Sequence, residues 1–322
     1  MERMLLLPSL GPFHILHPRY NAATVLALLE AARPLVLYLA SHSEEALREG
    51  LWREEDPLLF HLLPWAEGRG VPVVPLDGEA HLKGEAEVFR QALAQHPLGA
   101  AHLEGMRAFD QALLGLLQSP LTPEALGSAG FLGRLREVYG AFAQAYGEGP
   151  ATGFRARRMA KVAAALPREG AVVADLLDYL LLAERFPEAL PKAHRPTEAE
   201  RQRALLDRAW RLEEGDDWAG LLEGLFAIGT PEALYLAAQV YLAAGEWREA
   251  LLLMEEVFRM DFQHPPYLPG YVLARFGQLL DLAGERERAL RAYRGVLALP
   301  WAPEEARALA RAGLRTPFRL AP

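Results

Sequence analysis

The residues with the clearest chemical potential are one histidine and a few charged side chains in the first 180 positions. Gly11-Pro12-Phe13-His14 directly follows a short apolar run, so this spacing can place an imidazole at the end of a strand. Asp77 follows another such run, residues 71–75, two positions after its last residue. A single histidine at a strand end is more often structural than catalytic, and the sequence leaves both interpretations open for His14.

A basic segment is the second feature with possible chemistry. Arg155, Arg157 and Arg158 lie near the start of a helix predicted over residues 153–166. These arginines could bind an anion, or Arg157 and Arg158 could point outward as part of a solvated face. The chain contains no HExxH motif, no Gly-rich phosphate loop after a strand and no GxSxG motif, so these types of site are excluded.

Composition excludes several classes of protein. The 322 residues include no cysteine, which rules out disulfides, thiolate metal sites and cysteine nucleophiles. The net charge of −8 is shared equally by residues 1–195 (19 basic, 23 acidic) and 196–322 (15 basic, 19 acidic), so we expect no nucleic-acid partner. With no signal-peptide pattern and no apolar run of roughly 18–20 residues, we expect a cytoplasmic protein with no membrane partner. The single asparagine and the many arginines fit a heat-adapted protein or, equally, a GC-rich genome.

The elements that must position these residues alternate between strand and helix. Four short apolar runs are predicted strands, at residues 4–7, 35–39, 71–75 and 170–174. Helical patterns separate them, which is typical of βαβ units and a mostly parallel sheet. Pro72 and Pro75 favour an edge position for the third strand. We therefore predict an α/β domain over residues 1–190.

Local signals add detail to this domain. Ser41-His42-Ser43-Glu44 reads as a capping box that opens a helix. Pro12 and Pro18 argue against a helix around His14. Residues 85–148 look helical throughout and form a predicted insertion, which either covers the site or pads the sheet.

After a proline-rich linker at residues 187–196 the pattern becomes purely helical. The octapeptide at residues 244–251 recurs at residues 283–290, a period of 39. Each copy places a helix, a glycine turn and a second helix in order, with small residues where the paired helices meet. A single hairpin cannot bury its apolar face, so the copies must stack. We predict an all-α array over residues 196–322, with a weaker hairpin before these copies and a closing helix after them.

This array resembles the tetratricopeptide repeat over about residues 231–300. The resemblance implies a concave groove, lined by the first helix of each pair, that binds extended peptides. By spacing, the groove side carries these five residues: Tyr235, Gln239, Tyr271, Gln278 and Asp281. The Lys and Asn pair that some relatives use to clamp a C-terminal carboxylate is absent. The array could alternatively serve only to form homo-oligomers or to pack on the first domain.

The first domain resembles the TraB/Tiki/erythromycin-esterase/ChaN group over about residues 3–186. The resemblance rests on the strand followed by GxxH, the Val-Pro-Val-Val-Pro-Leu-Asp strand, the Arg-xxx-Met-Ala helix and a final strand. It implies a metal-dependent hydrolase or a haem-binding fold, in which His14 is the family's first histidine and Arg155 its helix arginine. The family's carboxylate after the second strand is missing, and Asp178 stands where its second histidine would be.

The resemblance thus gives a hypothetical catalytic set of His14, Asp77, Arg155 and Asp178. Of these, His14, Asp77 and Asp178 would suit Mn²⁺ or Mg²⁺ but not hydrolytic zinc, which needs two histidines. The leading interpretation is a protein-interaction scaffold without enzymatic activity, which needs no cofactor and uses the helical array to bind a protein or peptide. The alternatives are a metal-dependent hydrolase whose array recruits substrate and, with less support, a haem-binding protein.

Overall fold

The computed structural model of the protein describes residues 4–50, 52–77, 88, 91–92, 94–96, 99–149, 151–167 and 169–320. The chain divides into two compact units, Met1–Glu200 and Arg201–Pro322. The first is an α/β unit and the second is a helical array, as the sequence predicts. None of the helices in the described part of the chain is both long and apolar enough to cross a lipid bilayer.

The first unit contains four parallel strands in the spatial order β1-β4-β2-β3. Their bounds are Leu5–Ser9 (β1), Leu37–Leu39 (β2), Val73–Pro75 (β3) and Ala171–Asp175 (β4). β4 pairs with two neighbours, so that Ala171 lies opposite both Leu5 and Leu37. Its first four residues are buried, as expected for a central parallel strand covered on both faces. The proline-flanked β3 lies at the edge, which confirms the prediction for that strand.

Within the described part of the first unit, the α-helices have these bounds: α1 Ala22–Ala32, α2 Glu44–Glu49, α3 Trp52–Glu55, α4 Leu59–Arg69, α5 Gly99–Gln118, α6 Pro123–Leu126, α7 Ala129–Tyr146, α8 Gly153–Ala165 and α9 Leu176–Ala183. The predicted helical insertion corresponds to α5, α6 and α7, while residues 78–87, 89–90, 93 and 97–98 lie outside the described residues.

Two local predictions for this unit are wrong. A short 3-10 helix, Gly11–Leu16, surrounds His14, because Pro12 lies in its first turn, where a missing N–H costs no hydrogen bond. The cap of α2 is Ser43 and not Ser41, since the Ser43 hydroxyl accepts from the Ala46 N–H at 3.1 Å. The Ser41 side chain is therefore not the cap of α2.

The second unit is built from helical hairpins. Its helices are α10 Glu198–Trp210, which begins in the first unit, α11 Trp218–Ile228, α12 Pro231–Ala243, α13 Trp247–Val257, α14 Leu268–Leu282, α15 Arg286–Ala298 and α16 Glu304–Arg315. The predicted capping box at the start of α10 is present, because the Thr197 N–H donates to Glu200 Oε1 at 2.9 Å and the Glu200 N–H points back to Thr197 Oγ1 at 3.4 Å.

The 39-residue repeat is visible in the backbone. Gly245 and Gly284 both adopt positive φ, at 85° and 78°, in a left-handed turn that glycine enters without steric cost. The next residue in each copy, Glu246 or Glu285, donates its N–H back to the preceding helix at 2.8 Å. The two hairpins α12–α13 and α14–α15 therefore close in the same way, 39 residues apart.

Candidate functional site

Polar residues collect at the carboxyl edge of the sheet. Ser9 and Asp175 are the last residues of β1 and β4, while Ser41 and Asp77 each lie two positions beyond the ends of β2 and β3. Because all four strands are parallel, these residues end at the same edge of the sheet. Open α/β sheets place their binding sites at this edge, which makes it the candidate site of the first unit.

Asp178 lies at the centre of this edge, in the first turn of α9, with its side chain completely buried. Its Oδ1 accepts a hydrogen bond from Arg155 Nη1 at 2.7 Å. Arg158 Nη2 donates to both carboxylate oxygens, at 3.1 and 3.2 Å. Ser41 Oγ donates to Oδ2 at 2.7 Å. Each oxygen thus accepts two bonds, which saturates its lone pairs.

The two arginines extend this network to further carboxylates. Arg158 Nε lies 3.0 Å from Asp77 Oδ2, and Arg155 Nη1 lies 3.0 Å from Asp175 Oδ1. Asp175 caps α9 by accepting from the N–H of residue 178 at 2.9 Å, and its own N–H donates to Ser41 Oγ at 2.8 Å. The network therefore joins the ends of β2, β3 and β4 to the helix α8.

The network pairs two guanidinium groups, Arg155 and Arg158, with three carboxylates of the same chain. Burial alone would lower the pKa of Arg155, but the carboxylates of Asp178 and Asp175 outweigh burial and raise that pKa above its ordinary value. The Arg155 guanidinium therefore remains charged, and the donors of both arginines are directed at carboxylates. This geometry describes a closed ion-pair network and leaves little of either cation for an external anion.

His14 is buried and has both ring nitrogens engaged by the backbone. Its Nε2 accepts from the Leu10 N–H at 3.0 Å, so its Nδ1 carries the proton and donates to the Tyr20 carbonyl at 3.0 Å. The ring stacks on Tyr20, with centroids 5.4 Å apart. Burial lowers the pKa of His14 from 6.5 to about 4, so the imidazole is neutral near pH 7. His14 holds the β1–α1 connection in place.

The hypothetical metal set does not assemble. Among the described residues, which include His14, Asp77 and Asp178, no group of three or more His, Asp or Glu side chains is arranged to hold a metal ion. The physical reason is that Arg158 lies against both carboxylates and the imidazole nitrogens are already bonded. The same two imidazole bonds leave no lone pair for a haem iron. The residues present therefore do not fit either group.

A serine, an aspartate and a histidine also meet near this edge, but not as a nucleophile and its base. Ser9 Oγ donates to Asp56 Oδ1 at 2.6 Å and accepts from the Gly11 N–H at 3.1 Å. His42 Nε2 lies 3.8 Å from the other oxygen of Asp56. An activated serine needs its hydroxyl bonded to a general base such as imidazole, whereas here it is bonded to the carboxylate.

The catalytic set inferred from the sequence leaves out three members of the network: Ser41, Arg158 and Asp175. Arg158 is only 5% exposed, so the outward orientation considered for it is wrong, while Arg157 is 58% exposed as expected. Helical spacing could have identified Arg158 as a site residue, because residues three apart share a helix face and Arg155 was already a candidate. Ser41 was interpreted as part of a capping box, and its position after the end of a strand was therefore not considered.

The second unit gathers four aromatic rings, which we call the aromatic row: Trp210, Tyr235, Tyr267 and Tyr271. The Trp210 ring lies 5.3 Å from Tyr235, 5.9 Å from Tyr267 and 5.0 Å from Tyr271, measured between centroids. The rings come from α10, α12, α14 and the turn before α14. Tyr235 is buried, whereas the other three rings stay partly exposed.

A buried carboxylate fixes two of these rings. Glu232 accepts from both Trp210 Nε1 at 2.7 Å and the Tyr267 hydroxyl at 2.9 Å. Arg203 Nη1 bonds both oxygens of Glu232, at 2.9 and 3.0 Å. Arg203 Nε also bonds Asp207 Oδ1 at 2.7 Å. Burial raises the pKa of Asp207 from 3.8 to about 6, although Arg203 opposes the rise.

The five predicted groove residues have different environments. Tyr271 is partly exposed, and its hydroxyl donates to Glu305 Oε2 at 3.1 Å. The expectation that Tyr235 and Gln278 line an open surface is wrong, since they are 3% and 6% exposed. Both were placed by the spacing of their own helix, which does not show the side chains that cover them from α10 and α16. Gln239 is partly buried and the Asp281 carboxylate is fully buried.

Among the predicted groove residues, Gln278 lies beside the aromatic row, whereas Asp281 lies apart from it. Arg275 Nη1 donates to Gln278 Oε1 at 2.7 Å, and the positive charge of Arg275 acts on the nearby Tyr235, where it opposes the rise that burial causes in the pKa of that hydroxyl. Asp281 instead accepts from Arg286 and Tyr293 at the end of α14. Sequence spacing did not single out Trp210, although Arg203, Asp207 and Trp210 share one face of α10 at i, i+4 and i+7.

Comparison with known proteins leaves the family of this chain open. No family model, curated protein or solved structure matches it. The architecture therefore rests on the structure alone, as an α/β unit with a parallel sheet and an array of helical hairpins. The two family resemblances stay predictions.

Proposed function

We propose that this chain is an interaction protein whose helical array binds an extended segment of a partner protein along the aromatic row. In this proposal the array is of the tetratricopeptide type and the first unit is a degenerate hydrolase-like domain whose polar edge has a structural role. The observation that carries the proposal is the partial exposure of Trp210, Tyr267 and Tyr271. The Trp210 ring contacts the rings of both tyrosines, so the three side chains form one continuous aromatic surface.

The residue types support a binding role. Trp, Tyr and Arg contribute most of the binding energy at protein interfaces, and the row joins Trp210 and Tyr271 to Arg275 through Tyr235. Aromatic side chains provide a large contact area and lose little conformational entropy on binding, because each has only two side-chain torsions.

The buried network beneath the row supports the same role. Glu232 fixes the indole N–H of Trp210 and the hydroxyl of Tyr267, so these rings are held in place before a partner arrives. A surface ordered in advance loses less entropy on binding, and this loss is a major cost of association.

The metal-dependent hydrolase and the haem-binding protein have less support. Each needs an available imidazole, whereas both His14 nitrogens are bonded to the backbone. A hydrolase would also need its carboxylates open to a metal or substrate, and Asp178 is saturated by donors from its own chain.

The test is selection of binders from a displayed library of random extended peptides, with the full chain as bait. Affinity for a selected peptide should fall at least about tenfold in Tyr271→Ala, which removes a ring of the row, and in Arg275→Gln, which removes the positive charge beside Tyr235. Leu252→Ala is the matched control: its side chain is 66% exposed on α13, outside the row, and affinity should stay within about twofold.

Two results would contradict the proposal. One is a set of binders whose affinity is indifferent to Tyr271→Ala and Arg275→Gln in variants that keep the wild-type circular dichroism spectrum. The other is a stable dimer in sedimentation equilibrium that Tyr271→Ala dissociates, which would assign the row to self-association.

A further inference from the structure

The segment after the last helix returns to the array. Thr316 leaves α16 in extended conformation, and residues 317–320 continue without regular structure. The Phe318 N–H donates to Asp281 Oδ2, near the end of α14, at 2.9 Å. This bond spans 37 residues, so residues 316–320, here called the return segment, lie against a helix of an earlier hairpin.

Asp281 is held ready for this bond. Its carboxylate is fully buried and accepts from Arg286 Nη1 at 2.9 Å and from the Tyr293 hydroxyl at 2.8 Å. Arg286 also donates to the Gly313 carbonyl at 2.8 Å, which fixes the end of α16 beside it. Arg286 Nη1 also bonds Asp281 Oδ2 at 3.1 Å, so Arg286 and Tyr293 together supply three hydrogen bonds to the carboxylate. A carboxylate has about four acceptor positions, and the Phe318 N–H supplies the fourth bond, at Oδ2.

A cavity of about 540 Å³ adjoins the return segment. Gln278 and Tyr293 form one side of it, and α16 and the return segment form the rest. Volumes of this size are typical of ligand sites in proteins. The segment leaves this space unfilled, so a longer or bulkier segment could occupy more of it.

The return segment is held lightly. Only Phe318 is partly buried, while Thr316, Pro317, Arg319 and Leu320 are exposed. One backbone hydrogen bond and one partly buried ring are a small set of contacts, because a net hydrogen bond contributes little in water. A competing segment can therefore replace it.

We propose that the cavity bordered by α14, α16 and the return segment belongs to a peptide-binding pocket, and that the chain's own return segment occupies part of this pocket. Its ligand is an extended segment of a partner with an aromatic side chain, whose backbone N–H bonds Asp281, and this ligand displaces residues 316–320. The proposal rests on the proposed function, because it assigns one end of the same array to the partner segment.

The test uses a fluorescent peptide with the sequence of residues 314–320, Leu-Arg-Thr-Pro-Phe-Arg-Leu, added to the full chain. In Phe318→Pro the chain's own segment lacks both the donor N–H and the ring. This variant should bind the peptide at least about tenfold more tightly than the wild type, because a tethered competitor acts at an effective concentration of about millimolar.

Two controls make the result specific. The same peptide N-methylated at its phenylalanine keeps the ring and loses the donor, so its affinity for Phe318→Pro should fall at least about tenfold. Asp281→Asn, combined with Phe318→Pro, should weaken the unmodified peptide to a similar extent because the accepting charge is gone. Phe318→Ala retains the N–H and should give an intermediate gain in affinity.

Equal binding to wild type and Phe318→Pro, or equal binding of the methylated and unmodified peptides, would overturn the proposal. The outcome is separable from that of the proposed function. Library binders that depend on Tyr271 test the row, whereas dependence on Asp281 and on residue 318 tests this pocket. Either can fail while the other holds.

Discussion

Both units of the protein bury an arginine–carboxylate network, and the two networks differ in the side chains that donate hydrogen bonds to the central carboxylate. In the first unit, Asp178 takes all of its hydrogen bonds from Arg155, Arg158 and Ser41, which lie within the network. In the second unit, Glu232 takes two of its bonds from aromatic side chains, Trp210 and Tyr267, whose rings reach the surface.

The difference shows that a buried ion pair can either bond only within its own network or hold side chains that reach the surface. The network around Asp178 holds the strand ends and α8 together, and the carboxylate at its centre is fully buried. The network around Glu232 orders a partly exposed aromatic surface. In the proposed function, the first network has a structural role and the second supports the binding surface.

The two units also differ in how burial shifts a titratable group. In the first, burial lowers the pKa of His14 to about 4 and keeps a base neutral. In the second, burial raises the pKa of Asp207 to about 6 and favours the protonated acid. In both cases burial disfavours the charged form, but the stability of the two units responds to pH with opposite sign.

The largest expected effect is that of Asp178→Asn. The substitution leaves two buried guanidinium groups without their shared carboxylate, and breaking a buried pair in this way costs about 3–5 kcal/mol. Hydrogen exchange at increasing urea, followed on peptides from β4 and α8, measures this loss in the first unit. Peptides from α12 to α16 should change little.

Arg157→Gln is the matched control for this prediction. Arg157 lies on the same helix, 58% exposed, with its guanidinium 3.7 Å from an exposed glutamate, so the change should cost less than about 0.5 kcal/mol. If Asp178→Asn is as mild as Arg157→Gln, the network around Asp178 does not hold the first unit together.

The next effect is the response of the first unit to acid. A fall in the pKa of His14 from 6.5 to about 4 corresponds to about 3 kcal/mol. The unfolded chain binds the proton more readily than the folded one, so this stability is complete above about pH 6.5 and is lost as pH falls towards 4.

Urea unfolding of wild type and His14→Gln at a series of pH values measures this contribution. Glutamine can donate to one backbone group and accept from the other but does not titrate, so the difference between the two proteins should shrink as pH falls from about 6.5 to 4. A difference that is constant over this range would show that His14 titrates normally in the folded chain.

The smallest of these effects concerns close packing in the array. A Cβ at Gly277 would lie 2.5 Å from the ring of Tyr293, which is fully buried and bonded to Asp281. Gly277→Ala should therefore destabilise the array by about 1–3 kcal/mol despite the better helix propensity of alanine. Gly133→Ala in α7 meets nothing within 4 Å and should stabilise its unit by up to about 1 kcal/mol.

Hydrogen exchange on peptides from α14 and α7 separates the two glycine variants. A gain in stability from Gly277→Ala would mean that the hairpins are spaced more widely than the structure shows.

The sequence predicts most of the fold because its signals are local. Apolar runs locate all four strands within about two residues, Pro72 and Pro75 indicate the edge strand, and the octapeptide repeat locates two hairpins. It does not predict the spatial order β1-β4-β2-β3, because strand order depends on contacts between residues far apart in the chain.

The sequence predicts the site less well because ion pairs join distant segments. Asp77, Arg155 and Asp178 were candidates and do meet, but the residue that joins Asp77 to Asp178 is Arg158. His14 belongs to a separate arrangement, since the backbone around it provides both of its hydrogen-bond partners. The helical spacing that places Tyr235 on one face does not reveal which rings cover it.

The most direct test of the contrast between the two units is differential hydrogen exchange of the full chain with and without a library-selected peptide. The account predicts slower exchange in residues 207–211 and 267–275, which surround the aromatic row, and no change in residues 39–42 and 153–178. Slower exchange confined to residues 39–42 and 153–178 would contradict it, because the edge of the sheet would then be the binding site.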